Sequence, residues 1–292
     1  MGSLADIDLR HGYADLGEVR LHYVEAGDGP LVVLLHGFPD FWYSWRFQIP
    51  ALAAAGFRVI APDMRGYNLS SRPASVSAYA PAHLAADVRD LIAERGASRA
   101  FVAGHDWGAA VAWLTAIRHP EVVERLAILD VPHPRRMLEA LRRPGRQLLR
   151  SWYIFFFQLP WLPERALQAG NWRAFRRVFE HDARAGAFTP ADIELYREAW
   201  SQPGALTAML GYYRASMRRP PAPAGGGPLA PVQAPTLVIW GERDRHLGPE
   251  LAEPRREDVP NLEGVVRLPA SHWVQHDEPE RVSELLIDFF RN

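Results

Sequence analysis

A chain of 292 residues, 48% apolar and 23% charged, holds enough apolar material for one large core, or for a core with a smaller inserted domain. It has no cysteine, which excludes disulfides, thiolate nucleophiles and iron–sulfur ligation, and its 33 basic residues are all arginine, which excludes Schiff-base chemistry on lysine. Net charge is −1, but fifteen arginines against seven acids from His133 to Pro228 make that stretch about +8 and leave about −9 to the rest.

In the N-terminal segment MGSLADIDLRHGYADLG no apolar run is present, so no secretory signal is expected, and Asp6 stands where a myristoylation motif needs Ser or Thr. The first expected strand is Leu31–Leu35, followed by His36-Gly37-Phe38-Pro39. The second, Arg58–Ala61, leads into Asp63-Met64-Arg65-Gly66-Tyr67. Leu84, Val88, Leu91 and Ile92 then fall on one helix face. A third strand, Ala100–Ala103, runs through Gly104-His105-Asp106-Trp107-Gly108 into an Ala-rich helix.

Glycines two before and two after a residue at a strand-to-helix bend form a nucleophile elbow. Side chains at those glycine positions would clash, and Ala109 and Ala110 let the helix sit close to the sheet. The central residue is thrust out at the helix N-terminus, where backbone N–H groups favour negative charge. Here it is Asp106. A carboxylate is a poor nucleophile for esters and amides, but it can displace a leaving group from saturated carbon and become an enzyme-bound ester. The competing reading, a helix N-cap aspartate, fits an isolated G-x-D-x-G better than this context.

A fourth strand, Leu126–Leu129, ends at Asp130. From His133 to Pro228 the alternation of strands and helices stops and only helical patterning remains. Its longest apolar stretch, Trp152–Leu162, is interrupted by Gln158 and Pro160 and is far short of the ~20 residues that span a bilayer. Thr189-Pro190-Ala191-Asp192 reads as a helix start. Leu206, Leu210, Tyr213 and Met217 share one helix face, which turns Tyr213 inward and Tyr212 away. The segment closes on PPAPAGGGPLAP, a linker by composition. The arginine excess reads as a solvated helical surface, with anion steering as the alternative; neither an aromatic-basic RNA motif nor a zinc spacing accompanies it.

Strands resume at Thr236–Trp240, followed by Asp244, and at Val265–Leu268, followed by His272 and Trp273. Val282, Leu285, Leu286 and Phe289 mark a C-terminal helix. His276 lies four residues after His272, but no third ligand stands near enough in sequence to make a metal site. Strands alternating with helices give an α/β class with a mostly parallel sheet flanked by helices, and three sections: core 1–132, an all-helical lid 133–228, and core 229–292.

Gly104 to Gly108, with His36-Gly37-Phe38-Pro39, Asp63-Met64-Arg65-Gly66-Tyr67 and Trp42-Tyr43-Ser44-Trp45-Arg46, resembles the soluble-type epoxide hydrolases of the α/β-hydrolase fold, from Glu18 to Phe290; Asn68 replaces a frequent glycine. The resemblance implies an ester on Asp106, hydrolysed by water that His272 activates. It places the oxyanion donors at the backbone N–H groups of Phe38 and Trp107. Asp244 is the implied orienting acid, with Asp130 the alternative. Tyr153 and Tyr213 are the implied lid donors to the departing epoxide oxygen; the alternative is two core aromatics. Phe38, Trp107, Phe155, Phe156 and Trp273 are expected to line an apolar pocket.

The implied partners are a small apolar epoxide and water, with no cofactor, metal, nucleic acid or membrane. A cytoplasmic, detoxifying hydrolase is expected, and a homodimer stays open. The rival is a hydrolytic dehalogenase with the same nucleophile. Phe38 stands where haloalkane dehalogenases usually carry Asn or Glu, and Trp107 and Ala110 where fluoroacetate dehalogenases carry arginines. A non-catalytic binding protein on a hydrolase fold is the remaining reading, disfavoured because every catalytic position is filled.

Overall fold

The computed structural model describes residues 4–142, 145–218 and 229–292. Eight strands form one sheet in the order β1-β2-β4-β3-β5-β6-β7-β8. They are β1 Arg10–Asp15, β2 Arg20–Ala26, β3 Leu31–Leu35, β4 Arg58–Pro62, β5 Ala100–His105, β6 Val123–Leu129, β7 Thr236–Gly241 and β8 Leu262–Leu268. All six expected strands are present, three of them extended by more than one residue. From β4 to β8 every pairing is parallel, whereas β1 pairs with β2, and β2 with β4, antiparallel.

The antiparallel ribbon β1–β2 was not anticipated. β1 is an edge strand with one buried residue, Ala14, and β2 carries His22 and Glu25 among its apolar positions. Neither reads as an uninterrupted apolar run.

Side-chain alternation splits the core in two, as a sheet buried on both faces requires. Leu31, Val33 and Leu35 face one side with Val102, Leu126, Ile128 and Val238. Val32 and Leu34 face the other with Phe101, Ala127 and Ile239. The second side is covered by α1 (Gln48–Ala54) and, near the C-terminus, by Val282, Leu286, Phe289 and Phe290 of the last helix, Pro279–Arg291. The first side is covered by α2 (Pro81–Glu94) and α3 (Trp107–Arg118), with Leu84, Val88, Leu91 and Ile92 of α2 all buried.

Between β6 and β7 the described elements are all helical: α4 Pro134–Arg142, α5 Arg146–Arg150, α6 Trp152–Phe156, α7 Leu162–Asp182, α8 Pro190–Trp200 and α9 Ala205–Arg218. α7 is broken at Ala169–Trp172, where four residues leave helical geometry. α8 starts at a full capping box: Thr189 Oγ1 accepts the Asp192 N–H at 3.1 Å, and Asp192 accepts the Thr189 N–H at 2.7 Å. Of the expected linker Pro220–Pro231, residues 220–228 lie outside the described residues. After β7 come β8, α10 (Val274–Asp277) and α11 (Pro279–Arg291). No helix of the described residues is long and apolar enough to cross a membrane.

One expectation about α9 is corrected. Tyr212 does not turn away: it is fully buried, and its hydroxyl donates to the Arg65 carbonyl at 2.7 Å. Met217, expected on the inner face, is exposed. α9 is enclosed on most sides along its first eleven residues, so a single-face period does not describe it.

Candidate active site

The C-terminal ends of the parallel strands converge on one point, where ligands of open α/β sheets bind. Phe38 follows β3, Asp106 follows β5, Asp130 follows β6, Asp244 follows β7 and His272 follows β8.

Asp106 is held at φ 49°, ψ −123°, a backbone geometry that aspartate rarely adopts. The bend is that tight because strand and helix nearly touch: a Cβ on Gly108 would run into the carbonyl oxygens of Leu35 and His36. Gly37 is required in the same way, since a Cβ there would meet the Asp106 side chain itself. His36 locks the turn before Phe38, with Nδ1 on the Gly37 carbonyl at 2.9 Å and Nε2 accepting the Met64 N–H at 3.0 Å.

Each Asp106 oxygen faces a different partner. Oδ1 accepts the Phe38 backbone N–H at 2.7 Å, and Oδ2 lies 3.4 Å from His272 Nε2. His272 Nδ1 donates to Asp244 Oδ2 at 2.7 Å. The other Asp244 oxygen accepts the N–H groups of His246, at 2.6 Å, and Leu247, at 2.9 Å, which fixes the carboxylate edge-on to the imidazole. Burial alone would lower the His272 pKa, but Asp244 and Asp106 outweigh it and push it well up. Burial would likewise raise the Asp106 pKa, yet His272, His105 and the Phe38 N–H hold it below the usual carboxylate value. The imidazole lies between two carboxylates.

Asp130, the alternative acid, does not meet His272. Its Oδ1 accepts the Gly241 N–H at 2.6 Å, and its other oxygen is buried with no partner. Burial, with the nearby Asp244 charge, pushes its pKa well above the carboxylate range.

Both expected tyrosines lie over Asp106. The Tyr213 ring is 5.2 Å from Phe38 and 5.0 Å from Trp107, edge-on to each, and 6.0 Å from Tyr153. Burial and then the Asp106 charge raise both phenol pKa values, so both stay protonated donors at neutral pH. The expected pocket residues divide. Phe38 and Trp107 face these tyrosines, and Phe156 is half-buried beside Phe157. Phe155 is turned to the outer surface, 46% exposed, so it does not line the site. Trp273 packs behind the triad, 5.4 Å from the His272 ring and 4.7 Å from Phe179, as a support.

Sequence reasoning missed three neighbours. Phe157 is buried, 5.0 Å from Tyr213 and 5.7 Å from both Phe38 and Tyr153. His246 stands 5.2 Å from the His272 ring and 6.1 Å from Tyr153, with Nε2 3.3 Å from Asp182 of α7. His105, beside the nucleophile, donates from Nε2 to the His272 carbonyl at 2.7 Å and faces Asp40 at 3.6 Å. For His246, the only signal was its place two residues after Asp244.

Residues 30–279 match the family model for the alpha/beta hydrolase fold. The chain is 41% identical over 286 residues to the AB hydrolase superfamily protein YfhM of Bacillus subtilis, covering 96% of this chain and 97% of that one. It is 37% identical to Epoxide hydrolase 2 of Caenorhabditis elegans, covering 96% and 79%. Among solved structures, an inhibitor complex of an epoxide hydrolase from Bacillus megaterium superposes with a TM-score of 0.86 at 32% identity, covering 96% of this chain and all of that one.

Proposed function

The chain belongs to the epoxide hydrolases of the α/β-hydrolase fold, and from that premise we propose that it opens apolar epoxides to vicinal diols through an ester on Asp106. The observation that carries this reading is the environment of one carboxylate. Asp106 has a backbone donor on one oxygen, an imidazole at the other, and two phenols nearby, the buried Tyr213 and the half-buried Tyr153. The described helices between β6 and β7 act as a lid that supplies those phenols.

In the first half-reaction an Asp106 oxygen attacks a ring carbon. The C–O bond breaks, and Tyr153 and Tyr213 donate hydrogen bonds, one of them a proton, to the leaving alkoxide. Alkylation then removes the negative charge from Asp106. One of the two carboxylates that hold the His272 pKa up is gone, while burial still presses it down, so the ring passes its Nε2 proton to the phenolate and becomes a base. Asp244 keeps Nδ1 protonated and Nε2 aimed at water. Water adds to the ester carbonyl, with its oxyanion on the N–H groups of Phe38 and Trp107. Each such donor contributes on the order of a hundred-fold or more. The diol then leaves, and the proton that His272 took from water stays on the ring beside the regenerated Asp106 carboxylate, which restores the starting state.

Replacing His272 separates the two steps. His272→Gln incubated with styrene oxide should accumulate protein heavier by one intact epoxide, with the added mass mapped to Asp106. Wild-type protein should show no such species. An unmodified His272→Gln protein, folded by circular dichroism, would contradict the scheme.

A further inference from the structure

Ten large apolar side chains are exposed among the described residues, and six of them crowd into fourteen consecutive positions of the lid. They are Leu149, Trp152, Phe155, Leu159, Trp161 and Leu162, with Trp152 and Trp161 each 63% exposed. Leu149 lies in α5, Trp152 and Phe155 in α6, Leu159 and Trp161 in the turn that follows, and Leu162 opens α7, each turned to solvent. The inner face of the same turns carries Tyr153 and Phe157, packed against the site. An outward apolar stripe of this size on a polar protein marks a docking surface.

Charge says what the stripe meets. Arg146 and Arg165, both exposed, flank it, and among the described residues neither has a carboxylate partner. Arg165 lies against the Trp161 ring, 5.9 Å from its centroid, beside a surface hollow lined by Trp161, Glu164, Arg165 and Thr207. The stretch that carries the stripe is about +8 in a chain of net charge −1. A symmetric contact between two copies on this face would bring Arg146 and Arg165 of one copy against those of the other. Tryptophan and leucine beside arginine instead match the boundary between acyl chains and anionic headgroups.

We propose that the outer face of the lid, the stripe from Leu149 to Leu162 with Arg146 and Arg165, docks peripherally on anionic lipid surfaces. This revises the expectation that no membrane is a partner. The contact is superficial, since no described helix is fit to span a bilayer. It seats the lipid surface one helix thickness from the site, where apolar substrates dissolved in lipid are most concentrated. The binding stands apart from the proposed reaction, because it is measured without turnover.

Co-sedimentation of the whole protein with vesicles tests it. Vesicles of phosphatidylcholine containing phosphatidylglycerol should carry the protein down at low salt, pure phosphatidylcholine much less, and high salt should release it. A cation near such a surface contributes about 1 kcal/mol, or about five-fold in partitioning, so Arg146→Gln with Arg165→Gln should weaken binding about twenty-five-fold. Trp152→Ser with Trp161→Ser should abolish it and leave hydrolysis of soluble styrene oxide unchanged. No sedimentation with anionic vesicles at low salt would overturn the proposal, as would sedimentation that the tryptophan variant leaves intact. Light scattering on the same samples identifies the rival: a dimer that the tryptophan variant dissociates, without vesicle binding, assigns the stripe to a second copy.

Discussion

At Asp106, the proposed nucleophile, a strained backbone, one N–H donor and one imidazole decide the state of a single carboxylate. The proposed tyrosine roles follow from position, and neighbouring residues on α9 separate them. Tyr213 lies over Asp106 and Trp107, whereas Tyr212 donates to the Arg65 carbonyl. Tyr213→Phe should lower kcat/KM for styrene oxide on the order of a hundred-fold. Tyr212→Phe should keep activity and lose about 1–2 kcal/mol of stability, since a buried carbonyl loses its donor. Equal activity losses in both variants would remove the distinction. The two candidate acids separate on titration. Asp130 has a raised pKa in the folded protein, so its contribution to stability is present below the ordinary carboxylate range and fades as pH rises through the raised value. Asp130→Asn keeps an acceptor for the Gly241 N–H and removes that titration. Its Tm should therefore fall less than wild type's toward alkaline pH, with turnover nearly unchanged. Asp244→Asn should lose at least about a hundred-fold in turnover, because the imidazole loses its orienting charge. The opposite ranking would make Asp130 the working acid.

Elements carry these residues to one place because every contributing loop leaves the same edge of a parallel sheet. The elbow tolerates no relaxation at Gly108, where a Cβ would meet backbone oxygen rather than a movable side chain. Gly108→Ala should cost about 3 kcal/mol, seen as a large drop in the urea midpoint, together with most of the activity. Wild-type stability in that variant would show a looser bend. This element was legible in the sequence, as were the six expected strands: the inner ones are buried on both faces and show as apolar runs, and the edge strand β8, in which only Leu268 is buried, still carries Val265 and Val266. β1 and β2 were not, because an edge ribbon with histidine and glutamate in it lacks that run. The inner and outer faces of α6 were not separable either. Trp152-Tyr153-Ile154-Phe155-Phe156-Phe157 is apolar at every position, so no period tells Phe155 from Phe157.

Over the whole molecule, the helices between β6 and β7 share one buried apolar cluster with the sheet, through Phe179, Trp200 and Tyr213 among others, and a few buried polar ties cross the same seam. Trp200 Nε1 donates to the Pro39 carbonyl at 2.6 Å, next to the turn that holds the Phe38 donor. Tyr43 donates to Asp192 at 2.8 Å, and Arg46 lies 3.6 Å from the same acid while binding His276 and the Ala187 carbonyl. The acid that caps α8 thus also anchors the lid, a dual use no local motif reveals. The choice between Asp130 and Asp244 was closed to sequence for a similar reason: both end neighbouring strands, and only the direction of a carboxylate tells them apart. Asp106 and His272 were readable because backbone geometry and chain order restrict them.

The central claim is that Asp106 bonds to substrate carbon and is then regenerated by water at its own carbonyl. Many turnovers of styrene oxide in water enriched in oxygen-18, followed by mass analysis of the Asp106 peptide, test it directly. The account predicts that heavy oxygen enters the Asp106 side chain, and that a single turnover with enzyme in excess gives diol whose new oxygen is light, drawn from the protein. An unlabelled Asp106 peptide beside diol labelled from the first turnover would mean direct attack by water and would contradict it.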